Sequence, residues 1–199
     1  MTSRFLDLTF TNSVRSAQQQ HFGASPRIDA EQLDDELAKN EIEFIHARDS
    51  FYMATVSETG WPYMQHRGGK PGFLRAVNGR SLVFADYKGN RQLISTGNVA
   101  ANDRVALFLM DYPRRARLKI LGRARVEDAR GHPELVARFA ASDVQRLVER
   151  LFFVDVVAFD WNCPKYITPR FTREEVEAAM APLHQRIASL EASLRSDRP

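Results

Sequence analysis

The stretch from residue 51 to residue 126 constrains the fold most strongly, because it divides into short β-forming segments separated by turn residues. Segments 51–56 and 61–67 flank Glu58-Thr59-Gly60, and segments 73–77 and 81–85 flank Asn78-Gly79, a strong β-hairpin signal. Further segments at 104–111, 116–126 and 151–159 bring the total to roughly seven strands, mostly in hairpin order. This order predicts a mainly β (α+β) fold, an antiparallel barrel or sandwich with flanking helices, rather than a doubly wound α/β fold.

Helices are predicted on both sides of the strands. Asp29-Ala30-Glu31-Gln32 has the form of a capping box and precedes an imperfect helical stripe that breaks near Asn40. Segment 130–149 also reads as helical, with internal breaks. Segment 171–194 predicts a long helix that Thr172 caps. Its apolar stripe includes Ile187, Leu190 and Leu194.

The chain of 199 residues suits one domain with a sizeable core. We expect an arm at 1–28, the main domain at 29–170 and a C-terminal helix at 171–199. No apolar run approaches the roughly 18 residues of a membrane helix, so no membrane partner is expected. The single cysteine, Cys163, cannot form an internal disulfide, which favours a reducing, cytoplasmic location.

The charge is unevenly distributed along the chain. The whole protein has 28 basic and 25 acidic residues, a net charge of +3, but residues 61–125 have 13 basic residues and three acidic ones. A basic middle region in an acidic frame favours an anionic ligand such as a phosphate ester or nucleotide. A basic dimer interface or a solvated face would give the same pattern.

Two clusters in this region have the composition of a phosphate site. The first runs from Gln65 to Arg75 and combines His66 and Arg67 with glycines, which let backbone amides approach an anion. In the second, which runs from Asp86 to Ser95, Asn90 is predicted to cap a short helix. Cations beside a helix N-terminus suit a phosphate. A glycine-rich hairpin loop with incidental charge would explain the first cluster equally well, and a solvated capped helix would explain the second.

A third cluster is a strand with alternating cations. Residues 115, 117, 119, 121, 123 and 125 share one face, and five of them are Arg or Lys. One end of this row is expected to line a pocket, and the rest to be solvated or paired across a dimer. The five histidines have no metal-ligand spacing, so no metal site is expected, and neither a phosphate-binding P-loop nor a dinucleotide-binding glycine motif is present.

Taken in order, these pieces resemble the flavin-binding split barrel of the pyridoxamine 5′-phosphate oxidase superfamily. The similarity rests on Gly60-Trp61-Pro62, Gln65-His66-Arg67-Gly68-Gly69, Phe84-Ala85-Asp86-Tyr87-Lys88-Gly89-Asn90-Arg91-Gln92 and Leu118-Lys119-Ile120-Leu121-Gly122. It continues through Asp160-Trp161-Asn162-Cys163-Pro164-Lys165-Tyr166, a stretch similar to the subgroup of predicted flavin-nucleotide-binding proteins. The C-terminal signature of the oxidase itself is not recognisable.

The resemblance implies a homodimer of split barrels with FMN bound at the subunit interface. The residues that it implies for cofactor binding are Gln65, His66, Arg67, Phe73, Leu74, Lys88, Gly89, Asn90, Arg91, Gln92, Arg117, Lys119, Trp161, Tyr166 and Arg170. Arg67 and the turn 88–92 would hold the phosphate. Arg117 and Lys119 would reach the ring or the phosphate from the facing strand, and 161–170 would close the site.

The expected function is that of an FMN-dependent oxidoreductase with an unidentified small-molecule substrate. Three alternatives stay open. The protein would be a flavin carrier or sensor without turnover, a related barrel that binds haem or the deazaflavin F420, or a nucleic-acid binder that uses the basic strand. The last is disfavoured, because no aromatic residues alternate with the cations on that strand.

Overall fold

A computed structural model describes residues 3–28, 33–161 and 163–196. In that part of the chain, seven antiparallel strands form one sheet in the order β2-β1-β5-β6-β7-β4-β3. The strands are β1 (Ser50–Val56), β2 (Pro62–Gly68), β3 (Leu74–Asn78), β4 (Ser81–Tyr87), β5 (Arg104–Asp111), β6 (Ala116–Asp128) and β7 (Val148–Trp161). The predicted antiparallel fold is confirmed, and it is consistent with a split barrel.

Six α-helices flank the sheet in the described ranges. They are α1 (Ser3–Thr9), α2 (Asn12–Phe22), α3 (Lys39–His46), α4 (Ile94–Ala101), α5 (Pro133–Phe139) and α6 (Arg173–Ser196). The segment predicted as an N-terminal arm thus contains α1 and α2, and Phe5 of α1 is buried. None of the described helices has the length and apolar character needed to cross a bilayer.

One face of the curled sheet encloses the main core. Alternation along β1, β5 and β6 turns every second side chain inward, so the inner residues are almost fully buried. An aromatic contact joins the two halves of the sheet across this core, because Phe51 of β1 meets Phe84 of β4 edge-on with ring centroids 5.2 Å apart. Phe84 also stacks on its cross-strand partner Phe152 at 5.0 Å. The core residues of β4 and β7 therefore pack against those of β1 on the far side of the barrel.

Strands β4 and β7 are buried on both faces, which explains their continuous apolar runs. Leu82 and Phe84 point into the main core, whereas Val83 and Ala85 pack in a second cluster beside α5, which includes Phe139. The segment beginning at Val148 pairs with β4, so the helix predicted for 130–149 was wrong at its C-terminal end. The ladder satisfies backbone groups that a helix would otherwise have used.

The helix predicted from residue 33 was also misplaced. Its capping box at 29–32 lies outside the described residues, and α3 begins only at Lys39, so Asn40 lies inside a helix instead of at a break. Before α3 the chain bonds to the sheet, since Asp35 N–H donates to Val157 O at 3.0 Å and Leu37 N–H donates to Gly79 O at 2.7 Å. Bonding to neighbouring strands and turns replaces the predicted helical bonds.

The C-terminal helix is confirmed. Thr172 Oγ1 accepts a hydrogen bond from Glu175 N at 3.1 Å, and Glu175 Oε2 accepts one from Thr172 N at 2.8 Å. This reciprocal pair is a capping box, and it starts α6 at the predicted position.

Candidate functional site

A pocket of about 230 Å³, here called the arginine pocket, lies between β2, β7 and the segment that joins β4 to α4. Three arginines and one carboxylate are its charged groups, which gives a net charge of 3 − 1 = +2. The pocket is lined by Tyr63, Gln65, Arg67, Asp86, Tyr87, Gly89, Asn90, Arg91, Gln92, Leu93, Ile94, Ser95, Thr96 and Arg150.

Arg67 reaches this pocket because alternation along β2 places it on the same face as Gln65. Its guanidinium lies over the rings of Phe84 and Phe152, with its central carbon 5.7 and 5.2 Å from their centroids. Nη1 donates to Asp86 Oδ1, whereas the buried Nε has no hydrogen-bond partner among the described residues. Arg67 therefore retains a donor for a further acceptor.

Asp86 and Arg150 are direct cross-strand partners on β4 and β7. Arg150 Nε donates to Asp86 Oδ2 at 2.9 Å, so each oxygen of this buried carboxylate receives one arginine. Arg150 was not predicted as a site residue, because nothing local in the sequence indicates that its strand pairs with β4. The only signal was its place immediately before the apolar run 151–159.

The segment before α4 adopts an unusual backbone. Arg91 and Leu93 have φ values of 61° and 54°, in the left-handed region. Asn90 was predicted to cap the helix, and this was wrong: its Oδ1 accepts from Gln92 N at 3.2 Å, and α4 begins at Ile94. Among the described residues no side chain caps α4, so its first amides are available to an anion.

Ser95 and Tyr87 also line the arginine pocket. Ser95 Oγ donates to Gln65 Oε1 at 3.1 Å and ties the first turn of α4 to β2. Burial raises the pKa of Tyr87 above its usual value of 10, and the negative charge of Asp143 adds to this effect. The Tyr87 side chain packs against the second core cluster beside α5 and lines a separate cavity with Phe139 and Val144, so its phenol faces α5.

A second pocket, here called the outer-face pocket, lies on the outside of the sheet and has a volume of about 660 Å³. Its lining is mainly apolar and aromatic with three cations. The residues are Phe5, Tyr52, Ala54, Met64, Ala106, Leu107, Phe108, Met110, Tyr112, Arg117, Lys119, Ile120, Leu121, Tyr166, Ile167, Thr168 and Arg170. The size and composition are those of a small-molecule site.

The three cations of the outer-face pocket differ in their surroundings. Lys119 Nζ pairs with Asp160 Oδ2 at 2.7 Å, and Arg170 lies over the Tyr112 ring at 5.0 Å. Arg117 Nε is buried and has no hydrogen-bond partner among the described residues. A buried donor without a partner is costly, which makes Arg117 a candidate for contact with a bound molecule.

Two other cations of the basic strand pair with acidic side chains of the same chain, whereas solvation or pairing across a dimer was predicted. Arg123 Nη1 donates to Asp103 at 2.9 Å, and Arg125 lies over Phe153 with Glu127 Oε1 at 3.5 Å. The other end of the row, with Arg117 and Lys119, faces the outer-face pocket.

Five of the predicted site residues line neither pocket. His66 meets Tyr52 edge-on at 5.5 Å on the outer face of β2, and Lys88 is exposed beyond β4. Phe73 stacks on Phe51 at 5.6 Å, Leu74 is fully buried in the core, and Trp161 Nε1 donates to Glu41 Oε1 at 2.8 Å. Their predicted contacts with a cofactor stay predictions.

The remaining predicted residues divide between the pockets. Gln65, Arg67 and residues 89–92 line the arginine pocket, whereas Arg117, Lys119, Tyr166 and Arg170 line the outer-face pocket. The described residues contain no group of three or more His, Cys, Asp or Glu side chains that could hold a metal ion.

Comparison with solved structures returned proteins of low sequence identity. A putative pyridoxamine 5′-phosphate oxidase from Lactobacillus delbrueckii is 17% identical, with 63% of this chain and 93% of that chain covered and a TM-score of 0.49. General stress protein 26 from Bacillus anthracis is 17% identical, with 68% and 97% covered and a TM-score of 0.47. A FAD-binding protein from Mesorhizobium loti is 14% identical, with 65% and 97% covered and a TM-score of 0.45.

Comparison with curated proteins gave no match. Comparison with family profiles did: the profile described as pyridoxamine 5′-phosphate oxidase matches residues 37–156, from just before α3 to the middle of β7. The matched segment holds all seven strands in whole or in part and most of the arginine pocket. Because it covers more than half of the chain, this protein belongs to the pyridoxamine 5′-phosphate oxidase family.

Proposed function

We propose that this protein binds FMN and is an oxidoreductase that acts on a small molecule. The observation that carries the proposal is the arginine pocket, with its net charge of +2 beside the uncapped first turn of α4. A phosphate monoester has a charge near −2 at neutral pH, so it balances this pocket. Helix amides, guanidinium groups and full charges all favour an anion at the same place.

The residues of the arginine pocket divide the work of holding the phosphate. Arg67 offers its unpartnered Nε, and Arg91 offers a guanidinium from the loop before α4. Asp86 keeps Arg67 and Arg150 in position through their ion pairs. Its negative charge also lowers the net charge of the pocket to +2, which a phosphate monoester balances.

The outer-face pocket fits a flat aromatic ring. Tyr52, Phe108 and Tyr112 supply apolar walls, and Arg117 supplies the donor that has no partner among the described residues. When bound, FMN supplies hydride transfer at its ring system. A cation at the ring edge stabilises negative charge there, and we assign that role to Arg117.

The two pockets share no lining residue, and β2 contributes Met64 to one and Gln65 and Arg67 to the other from opposite faces. The outer face also exposes apolar side chains, since Met64 is 66% exposed and Tyr166 is fully exposed. Such surfaces mark interaction sites. We propose that two copies pair through this face, so that the arginine pocket of one protomer and the outer-face pocket of its partner hold one FMN together.

The first experiment records the visible absorption of gently purified protein and identifies the molecule released on denaturation. Absorption maxima at about 370 and 450 nm, with FMN in the released material, support the proposal. If haem or a deazaflavin is released instead, that molecule takes the place of FMN in the proposal. A colourless protein that fails to bind added FMN overturns it.

A second experiment separates an enzyme from a carrier. The FMN-loaded protein is mixed anaerobically with NADH or NADPH, and bleaching of the flavin absorbance is followed by stopped flow. Fast bleaching supports an oxidoreductase that takes electrons from a nicotinamide donor. If neither donor, nor a panel of small-molecule reductants, reduces the bound flavin faster than free FMN, the protein is a flavin carrier or sensor.

A further inference from the structure

Helix α6 is long, regular and uncovered. It spans Arg173–Ser196, which corresponds to about 36 Å, and all of its described side chains are exposed. Helical stability in proteins comes mainly from packing an apolar face against another element. For α6, the described part of this chain does not supply that element, because all of the helix's described side chains are exposed.

The apolar residues of α6 follow a heptad repeat. Their spacing alternates between four and three residues, and each is between 42% and 61% exposed: Val176, Met180, Leu183, Ile187 and Leu190. In heptad notation Met180 and Ile187 occupy a positions, and Val176, Leu183 and Leu190 occupy d positions. The sequence continues the pattern to position 194. A repeat every 3.5 residues on an exposed helix is the pattern of a coiled coil.

We propose that α6 pairs with α6 of a second copy of this chain to form a parallel two-stranded coiled coil. The stripe is narrow, because the large apolar side chains of α6 lie only at a and d positions. A second copy of the same helix presents an identical stripe under a two-fold axis. This pairing is independent of the flavin site, and its test does not use the cofactor.

The charges beside the stripe favour a second copy in the parallel direction. Arg186 occupies a g position and Glu191 the e position five residues later, which is the pair that meets across a parallel coiled coil. In an antiparallel pair, a positions of one helix pack against d positions of the other, for example Met180 against Leu190. That alignment would place Glu177 opposite Glu191 and Arg186 opposite Arg186 of the other copy. Like charges on both edges disfavour that alignment.

Pro182, which lies inside α6, is compatible with this pairing. It occupies a c position, on the side of the helix away from the stripe, where its ring faces solvent. Proline lacks the amide hydrogen of a regular helix turn and bends the helix away from itself.

The test is disulfide trapping in the full chain. Cys163 is exposed, so it is first replaced by Ser, and Leu190→Cys is then introduced at a d position. In a parallel coiled coil the two introduced thiols face each other, so mild oxidation yields a covalent dimer on a non-reducing gel. The matched control is Ala192→Cys, at an f position on the outer face. A roughly tenfold lower yield is expected there, because thiols on the outer faces lie too far apart to bond.

Two outcomes overturn the proposal. One is a dimer yield from the Leu190→Cys protein no greater than that from the Ala192→Cys protein, which means that α6 is free or covered by another partner. The other is dimer formation only when a Met180→Cys protein is mixed with a Leu190→Cys protein, which indicates antiparallel helices. Either result leaves the flavin proposal unaffected, because the same samples can be measured for bound flavin.

A charge variant tests the direction of pairing in the Leu190→Cys background. Arg186→Glu places a second carboxylate opposite Glu191 of the other copy, and the initial rate of trapping should fall by about 3- to 10-fold. Gln185→Glu adds a negative charge at the outer f position and should leave the rate unchanged. Equal rates for the two variants contradict the assigned pairing of Arg186 with Glu191.

Discussion

Arg67 on β2 donates a hydrogen bond to Asp86 on β4, although these strands lie near opposite ends of the sheet order. The ion pair forms only because the sheet curls on itself and brings β2 toward β4. Both side chains are nearly buried, with 12% and 10% of their surfaces exposed. The pair therefore spans the split of the barrel, and it forms one wall of the arginine pocket.

Replacing Asp86 tests the balance of charge at this pair. Asp86→Asn leaves Arg67 and Arg150 close together without their shared carboxylate, and we expect a loss of unfolding free energy of about 3–5 kcal/mol. Inorganic phosphate should restore part of that stability in urea melts, because an anion replaces the carboxylate between the arginines. Chloride at equal ionic strength is the control, and equal effects of the two salts would contradict a phosphate site.

Arg91→Ala tests which part of FMN the arginine pocket holds. The lost guanidinium contacts should weaken FMN binding by about 1.5–3 kcal/mol, or roughly 10- to 100-fold, and leave riboflavin binding almost unchanged. Isothermal titration calorimetry measures both affinities. Arg80→Ala, at an exposed arginine beside Glu36, is the matched control. Equal losses for FMN and riboflavin would place Arg91 away from the phosphate.

Arg117→Met should give the opposite selectivity. It removes the donor whose buried Nε has no partner among the described residues but keeps much of the length of the side chain. If Arg117 meets the ring, FMN and riboflavin should weaken by the same factor, about 5- to 20-fold. A loss confined to FMN would instead assign Arg117 to the phosphate.

Gly122→Ala should destabilise the barrel. A Cβ atom at this position would lie 2.6 Å from Val154 Cγ1 and 2.8 Å from Asp155 O, at the point where the register between β6 and β7 shifts. We expect a loss of about 1–3 kcal/mol by chemical denaturation. Gly97→Ala is the control, since nothing lies within 4 Å of its added Cβ, and in α4 it should stabilise by about 0.5–1 kcal/mol.

Asp128 should titrate well below an ordinary aspartate. Hydrogen bonds from the side chain and backbone of Arg130 lower the pKa of Asp128 from 3.8 to about 2. Since the folded pKa is the lower one, the stabilisation is complete above about pH 3.8 and is lost as the pH falls toward 2. Carboxyl chemical shifts followed by NMR measure the value. In Arg130→Gln the pKa should rise toward 3.8, and an unchanged value would contradict this cause.

Local pattern was sufficient where one stretch of chain decides its own structure. The hairpin at Asn78-Gly79 formed as predicted, with Leu74 paired to Phe84 across it. The capping box at Thr172 began the long helix, and alternation along β6 separated the cations from the buried Leu118 and Ile120. In each case the period of the side chains or a turn residue fixes the structure without long-range contacts.

Predictions failed where distant strands competed with local preference. The sequence before Glu149 favours a helix, but the strand that contains this residue pairs with β4. Asn90 has the residue type of a helix cap, but the left-handed backbone at Arg91 and Leu93 moves the start of α4 to Ile94. Tertiary hydrogen bonds and burial outweigh a local preference of this size.

By itself the sequence determined the set of strands, the antiparallel class, the C-terminal helix and six of the fourteen residues that line the arginine pocket, because side-chain period and turn chemistry are local properties. Only the tertiary structure decided that Arg150 joins Arg67 and Asp86, since this meeting depends on the pairing of β4 with β7. It also decided that the predicted site residues divide between opposite faces of the sheet. Pairing of strands distant in sequence is set by how the whole core closes, which no single segment encodes.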